Sequence, residues 1–452
     1  MTTSFRTIWI KNPLSILAEH AGSGIVVQGT RIIELVAAGK TPATAYDDVF
    51  DASSHVVIPG LINTHHHFFQ TLTRAHPEGI NKELFPWLES LYPIWASKLD
   101  DESFRMANRL AMTELLLSGC TTASDHHYLF NDKLDGASDI QVEEAARSGI
   151  RFILNRGSMN LSKKDGGLPP DIAVQDEDTI LADSERLLQM YHDVSDGAML
   201  QVALAPCAPF NVTKRLMLES LYLAEKYDCQ LHTHLAETLD ENDYCLEHFN
   251  CRPVDYLEDV GWLNPRVWLA HGIHFNHDEI CKLGKHGVGI CHCPTSNMVL
   301  ASGHCRTIDL ENAGAPVGLG VDGSASNDSS NLIEGVRHAL MLNRLTYNAA
   351  TVTHFDAFRW ATEGSAKCIG RSDIGKIEVG RQADLAMFTL DELRFSGAGD
   401  PLAALVLCGA HRADRVMVAG QWKVVDGEPV GTDIRELRSS HGEAARKFLG
   451  NL

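Results

Sequence analysis

Gln230-Leu231-His232-Thr233-His234-Leu235-Ala236-Glu237 reads as a short β-strand that ends on chemistry. Its residues favour extended backbone, a histidine closes it, and a glutamate follows three residues later. Three other segments share that form. Leu61-Ile62-Asn63 leads into His65-His66-His67, Val267-Trp268-Leu269-Ala270 into His271, and Val317-Gly318-Leu319-Gly320-Val321 into Asp322. A His-x-His pair, two further histidines and an aspartate, each at a strand end in that order, form a metal-hydrolase constellation. Side chains two apart on a strand share a face, so His65 and His67 can hold one metal while His66 points away.

Outward from these segments, strand-like runs alternate with helical ones. The runs are 61–63, 121–124, 151–155, 200–205, 230–234, 267–270, 288–292 and 317–321, with helical stretches such as Ser103 to Leu117 between them. Eight alternating units predict an α/β fold, a (β/α)8 TIM-type barrel with all four chemical segments on its C-terminal face. Both ends of the chain carry short strands with turn signals, at 6–10, 24–35, 55–58, 383–388 and 415–427. They predict a small β-sandwich domain built from both termini. The expected division is 1–58 for the first part of the sandwich, 59–374 for the barrel, and 375–452 for the rest with a polar terminal helix. Residues 68–100 are expected to form a long aromatic loop, a length that usually signals function.

The chain has 452 residues, 44% hydrophobic and 22% charged, which suits a soluble globular protein. No membrane-length apolar stretch and no signal-peptide core after Met1 are present, so a cytoplasmic location is expected. A net charge of −20 opposes binding to nucleic acid, leaving a free small molecule as the expected partner. The 11 scattered cysteines do not read as a disulfide framework.

Three imidazoles (His65, His67, His234) and one carboxylate (Asp322) suit one Zn²⁺, although iron or manganese could occupy such a site. Zinc lowers the pKa of a bound water to about 7 and so supplies hydroxide at neutral pH. Glu237 is placed to carry a proton to the leaving nitrogen, Asp322 to take one from the water, and His271 to orient the water and stabilise charge. Barrel hydrolases with two ions bridge them with a carboxylated lysine after strand four. Here that strand ends Leu204-Ala205-Pro206-Cys207, without lysine, so a single metal is expected. His126-His127 and Cys291-His292-Cys293 are weaker candidates for metal binding.

Across nearly its whole length the chain resembles the amidohydrolase superfamily, in its mononuclear metal-dependent deaminase branch. The resemblance rests on His65-x-His67, His234-x-x-Glu237, His271 and Asp322, and on Gly375-Lys-Ile-Glu-Val-Gly-Arg-Gln-Ala-Asp-Leu-Ala386 near the end. Longer segments carry it further, among them Asn63 to Ala75, Leu84-Phe-Pro-Trp-Leu88, Leu91-Tyr-Pro-Ile-Trp95, Ser118 to Phe130 and Arg156-Gly-Ser-Met159. It implies hydrolytic deamination of free 8-oxoguanine, a small-molecule purine, to urate and ammonia, in a dimer or larger homo-oligomer. Residue types that suit such a ring are Gln70 for a lactam edge, Arg156 for a carbonyl oxygen, and Tyr92 and Trp95, beside Phe85 and Trp87, for a flat wall. Cys207 is a further candidate contact. The same ligands serve relatives that act on guanine, isoxanthopterin or an s-triazine, or that open cyclic amides. A non-catalytic scaffold would be expected to have lost some of these groups.

Overall fold

Alternating β-branched and aliphatic residues put one face of each short run into the barrel lumen and the other against helices. In the computed structural model, eight such strands close on themselves; it describes residues 6–134 and 136–450. The opening Met1–Phe5, part of the segment read for a leader, lie outside that range, as do Asp135, Asn451 and Leu452.

The barrel strands are β1 (Leu61–Asn63), β2 (Cys120–His127), β3 (Arg151–Ser158), β4 (Leu200–Pro206), β5 (Gln230–Leu235), β6 (Val267–His271), β7 (Gly289–His292) and β8 (Val317–Leu319). All run parallel in sequence order, and Leu319 pairs with Asn63 to close the ring. Inside, Ile62, Ile153, Ala203, Trp268 and Cys291 pack with Ile369 and Ile374 as a filled floor. Outside, Phe152, Leu154, Val202 and Leu204 face the helices. That alternation, with its period of two, decides which residues at the rim reach the lumen.

β1 has its expected range, whereas β8 ends at Leu319, two residues earlier than expected. β1 ends at Asn63, so His65 and His67 lie just beyond it. Backbone hydrogen bonds from Thr64 N to Leu319 O (3.0 Å) and from Asp322 N to His65 O (3.1 Å) prolong the ladder past both strands. The histidine pair therefore keeps its strand-like facing.

Residues 68–100 are not a loop. They form a 3₁₀ turn, Phe68–Thr73, and helix α1, Leu84–Lys98, which contains Pro93. Trp87, Leu88, Leu91, Tyr92 and Trp95 fall on one face of α1, and that helical spacing is what the aromatic content of the segment encoded. Helix α2, Asp101–Leu117, follows at once behind a capping box of Asp100 and Ser103.

Strands from the two ends of the chain form two sheets. One runs in the order Arg31–Val36, Gly24–Gln28, Thr7–Lys11, Asp48–Asp51. The other runs Glu428–Pro429, Gln421–Val425, Arg415–Val418, Leu385–Thr389, His55–Pro59, Ser15–Ile16. His55–Pro59 pairs antiparallel with Leu385–Thr389, which joins the two ends directly. Ile10, Ile25, Val27, Val57, Leu385 and Met417 share one core between the sheets. A final helix, Ile434–Leu449, lies against α2 and the 3₁₀ turn, where His441 Nε2 meets Thr71 Oγ1 at 3.2 Å. No helix among the described residues is long and apolar enough to cross a membrane.

Candidate active site

The ends of β1, β5, β6 and β8 open onto one recess at the C-terminal face of the barrel. His67, His234, Glu237, His271 and Asp322 line it, together with Gln70, Tyr92, Tyr128, Cys207 and Asn211. Leu84, Trp87, Leu88, Phe210 and Leu300 supply apolar wall. Three non-glycine residues here hold the left-handed backbone region: Ala236 (φ 53°), His271 (φ 73°) and Asp322 (φ 64°). Such conformations cost about 1–3 kcal/mol each and persist where surrounding structure imposes them.

The second nitrogen of each imidazole determines what the first can do. His67 Nδ1–H donates to His126 O at 2.7 Å, and His234 Nδ1–H donates to Cys207 O at 2.7 Å. Behind His65 stands His232, which donates from Nδ1 to Trp268 O at 2.8 Å. Its Nε2 is therefore an acceptor, and His65 Nδ1–H donates to it at 2.8 Å. All three imidazoles thus present a bare Nε2 lone pair. These nitrogens lie within 4.8 Å of one another, and His67 Nε2 and His234 Nε2 are 3.3 Å apart with no proton to share. Asp322 Oδ1 completes the group, 3.3 Å from His65 Nε2 and 3.4 Å from His67 Nε2.

Converging lone pairs repel one another unless a cation lies among them. His65 Nε2 is moreover buried without a hydrogen-bond partner. Three nitrogens and a carboxylate oxygen are a donor set that suits zinc. Burial holds His65, His67 and His234 below the ordinary imidazole value, the neutral form that a metal requires. Burial alone would raise Asp322. Contact with His65 and the nearness of His271 and His67 more than offset that and leave it well below the usual carboxylate range. Ser296 and Ser326 donate to Asp322 Oδ2 at 2.6 and 3.1 Å, which keeps Oδ1 turned toward the histidines.

Beside this group stands an acid–base pair. Glu237 Oε2 is 3.4 Å from His271 Nε2, and Ser302 Oγ donates to Glu237 Oε1 at 3.4 Å. Burial pushes the Glu237 carboxyl up to about 7, opposed by His271 and assisted by Asp322. His271 is lowered by burial, but Glu237, Asp322 and its 3.0 Å hydrogen bond to Asn297 Oδ1 leave it above its ordinary value. A carboxyl poised near neutrality is suited to proton transfer in both directions.

The expected substrate contacts divide. Tyr92 and Cys207 line the cavity, as does Gln70. Gln70 Oε1 already accepts from Ala325 N–H at 3.2 Å, which fixes which end of the amide is the oxygen and leaves it one further lone pair. A β-carbon at Gly323 would overlap Gln70 Oε1, so glycine is needed there for the amide to sit as it does. Trp95 is fully buried behind the wall, 5.2 Å from Phe69 and 5.3 Å from Trp87 between ring centres, and its indole N–H is held by Thr73 Oγ1. Trp87, one of its neighbours on α1, is the tryptophan that reaches the cavity.

Arg156 does not reach the cavity at all. It has the same parity as Phe152 and Leu154, whose side chains leave the barrel. The guanidinium pairs with Asp183 Oδ2 at 2.7 Å, donates to Gln175 Oε1 at 2.9 Å and stacks on Phe130 at 3.9 Å. His126 points inward and stacks on His234 at 4.8 Å, with Nε2 donating to Ala205 O. His127 points outward against Phe104.

Sequence reasoning missed His232, Ser296, Asn297, Ser302, Ser326, Tyr128 and Asn211. Only His232 carried a usable signal, its spacing of two from His234. The others come from segments whose approach to the site depends on the closed fold.

Residues 56–423 match the model of the amidohydrolase family. The chain is 59% identical to the 8-oxoguanine deaminase of Pseudomonas aeruginosa over 444 residues, 98% of this chain and 99% of that protein. It is 33% identical to an isoxanthopterin deaminase from an unknown prokaryote, covering 95% of this chain and 92% of that one. It superposes on the zinc complex of an atrazine chlorohydrolase from Arthrobacter aurescens with a TM-score of 0.91 and 30% identity, over 97% of this chain and 100% of the other. This chain belongs to the amidohydrolase family.

Proposed function

We propose that this protein deaminates free 8-oxoguanine: water replaces the exocyclic amine at C2, giving urate and ammonia. The observation that carries the chemistry is the convergence of three bare imidazole nitrogens and Asp322 beside a Glu237–His271 pair. The choice of ring is supported by the 59% identity to the Pseudomonas aeruginosa enzyme of that activity.

His65, His67, His234 and Asp322 would hold one zinc. When bound, zinc supplies a water whose pKa is lowered to about 7. Asp322 Oδ1 accepts a proton from the attacking water, while Ser296 and Ser326 hold its other oxygen. Glu237, protonated in about half of the molecules near pH 7, donates a proton to the ring nitrogen next to the attacked carbon. The tetrahedral carbon then collapses: its hydroxyl proton passes through the now-ionised Glu237 to the amine, the C–N bond breaks, ammonia leaves, and the proton held by Asp322 restores Glu237. His271, oriented by Asn297, stabilises negative charge on the entering oxygen. Trp87, Tyr92 and Phe210 offer flat surface to a planar bicycle.

The barrel residues 59–374 would be the catalytic unit, with 1–58 and 375–452 as the two parts of the sandwich. A cytoplasmic setting and self-association as a dimer or larger assembly belong to the same reading. Turnover by zinc-loaded protein, followed as ammonia release from 8-oxoguanine, guanine, isoxanthopterin and an s-triazine, tests it. Preference for 8-oxoguanine with urate as product is expected. Activity confined to another ring would overturn the substrate and leave the chemistry standing.

A further inference from the structure

Asn211 follows β4 in the turn Pro209-Phe210-Asn211, fully buried on the cavity wall. Its backbone is pinned from both sides: its N–H donates to Ala208 O at 3.0 Å, and its carbonyl accepts from Asn160 and Leu161 N–H at 3.1 and 3.2 Å. The side chain is pinned as well. Ala208 N–H donates to Asn211 Oδ1 at 2.8 Å. A backbone N–H can only donate, so the oxygen must face it and the NH₂ group must point the other way.

That NH₂ group is the unusual feature. It lies close enough to the Tyr92 hydroxyl and the Cys207 thiol to interact with both, yet buried Asn211 Nδ2 meets neither in hydrogen-bond geometry. A buried donor left unmatched is costly, and native proteins contain few of them. Gln70, the other side-chain amide central to the substrate reading, also has its oxygen engaged by a backbone N–H, that of Ala325. Each of these bonds fixes which end of the amide is the oxygen. The Asn211 donor turned away from Ala208 matches a ring that brings carbonyl oxygens to its edges.

We propose that Asn211 Nδ2 donates a hydrogen bond to a ring carbonyl oxygen of the substrate and so selects oxo-purines over rings without that oxygen. This rests on the purine-deaminase reading above and assigns a specificity-determining residue within it. Sites built to hydrogen-bond one substrate group reject analogues lacking that group far more strongly than apolar pockets do.

Asn211→Asp is the sharpest test, because its remaining oxygen can still accept from Ala208 N–H while the donor becomes an acceptor. Asn211→Ala, which deletes the donor without adding charge, is the second variant. Each is compared with wild type on 8-oxoguanine, on guanine (no C8 oxygen) and on 2-amino-8-oxopurine (no C6 oxygen), by kcat/KM or, for a poor substrate, by its constant as a competitive inhibitor. The expected result is a loss of at least about 100-fold for Asn211→Asp on 8-oxoguanine and on one single-carbonyl ring. The other single-carbonyl ring, lacking the oxygen that Asn211 reads, should change little. Because the result is a ratio between rings on the same preparation, partial unfolding of a variant does not imitate it. Equal losses on all three rings, or none, would overturn the assignment while wild-type turnover of 8-oxoguanine upheld the function. Wild-type protein inert toward all three rings would overturn both.

Discussion

At the N-terminal end of the barrel, Arg151 donates Nε and Nη2 to Asp384 at 3.0 and 3.1 Å and Nη1 to Gly197 O and Ala198 O at 2.8 Å. Asp384 Oδ1 also accepts from Ala419 N–H at 2.7 Å, so the buried pair ties the sandwich to the barrel with its charges well matched. At the C-terminal end, 3.3 Å separates two imidazole nitrogens that cannot bond to each other. His65 Nε2 and Asn211 Nδ2 there are buried without a well-formed hydrogen bond. Both networks are polar and buried, but only that of Arg151 and Asp384 is complete in itself. A completed network stabilises the fold, whereas incomplete valences mark where something else binds.

The largest effect should come from disturbing the incomplete end. His67→Ala is expected to abolish zinc retention and reduce turnover to background, measured by metal analysis and ammonia release on the same sample. Full zinc with normal turnover would remove His67 from the site. Glu237→Gln sharpens the contrast by separating chemistry from metal: turnover should fall by about 10²–10⁴-fold with zinc content unchanged.

Disturbing the complete end should do the reverse. Arg151→Met strands Asp384 in the interior and should cost about 3–5 kcal/mol of stability. Turnover per folded molecule, read well below the melting temperature, should stay at the wild-type value. A catalytic loss without a stability loss would contradict the division between the two ends.

A smaller effect concerns pH. Burial pushes the Glu241 carboxyl, beside Glu237 on the cavity wall, from 4.5 up to about 8. The folded state then keeps a proton that the unfolded chain releases, so stability falls as pH rises through that window. Glu237 and Asp125, raised to about 7 and about 8, act in the same sense. Glu241→Gln carries no such proton, and its melting temperature should decline less between pH 5 and pH 8 than that of wild type, by about a few degrees at most. An unchanged slope would mean that Glu241 is ionised throughout.

The smallest effect is expected at Arg156, which belongs to neither end. Arg156→Met should leave KM nearly unchanged while lowering the melting temperature, because its partners are Asp183 and Gln175 on the outside of the barrel. A large rise in KM with unchanged stability would return Arg156 to the substrate pocket.

The contrast between Arg156 and His234 shows what could be read from the chain. Both sit near the end of a barrel strand, and both carry a group suited to an oxo-purine or its metal. His234 has the parity of the lumen and Arg156 the parity of the helices, a single-residue difference that composition does not reveal. Trp95 failed as a cavity contact for a related reason. Its place on the aromatic face of α1 was legible, but which rings of that face meet the cavity depends on where the helix docks.

The sequence alone determined the eight-strand alternation and the β-rich ends, and it pointed to His65, His67, His234, Glu237, His271 and Asp322 as the candidate site. Each of these is encoded locally, by a two-residue period or by the chemistry of a strand end. Only the tertiary structure decided that His232 orients His65, that Ser296 and Ser326 turn Asp322, and that Asn211 meets the cavity with an unused donor. Ser326 lies only four positions past Asp322, but Ser296 is 26 positions from Asp322 and His65 is 167 from His232, and those relations arise when the barrel closes. A hydrogen bond needs its two atoms within about 3 Å and in line. No local pattern fixes that across such distances in the chain; packing does.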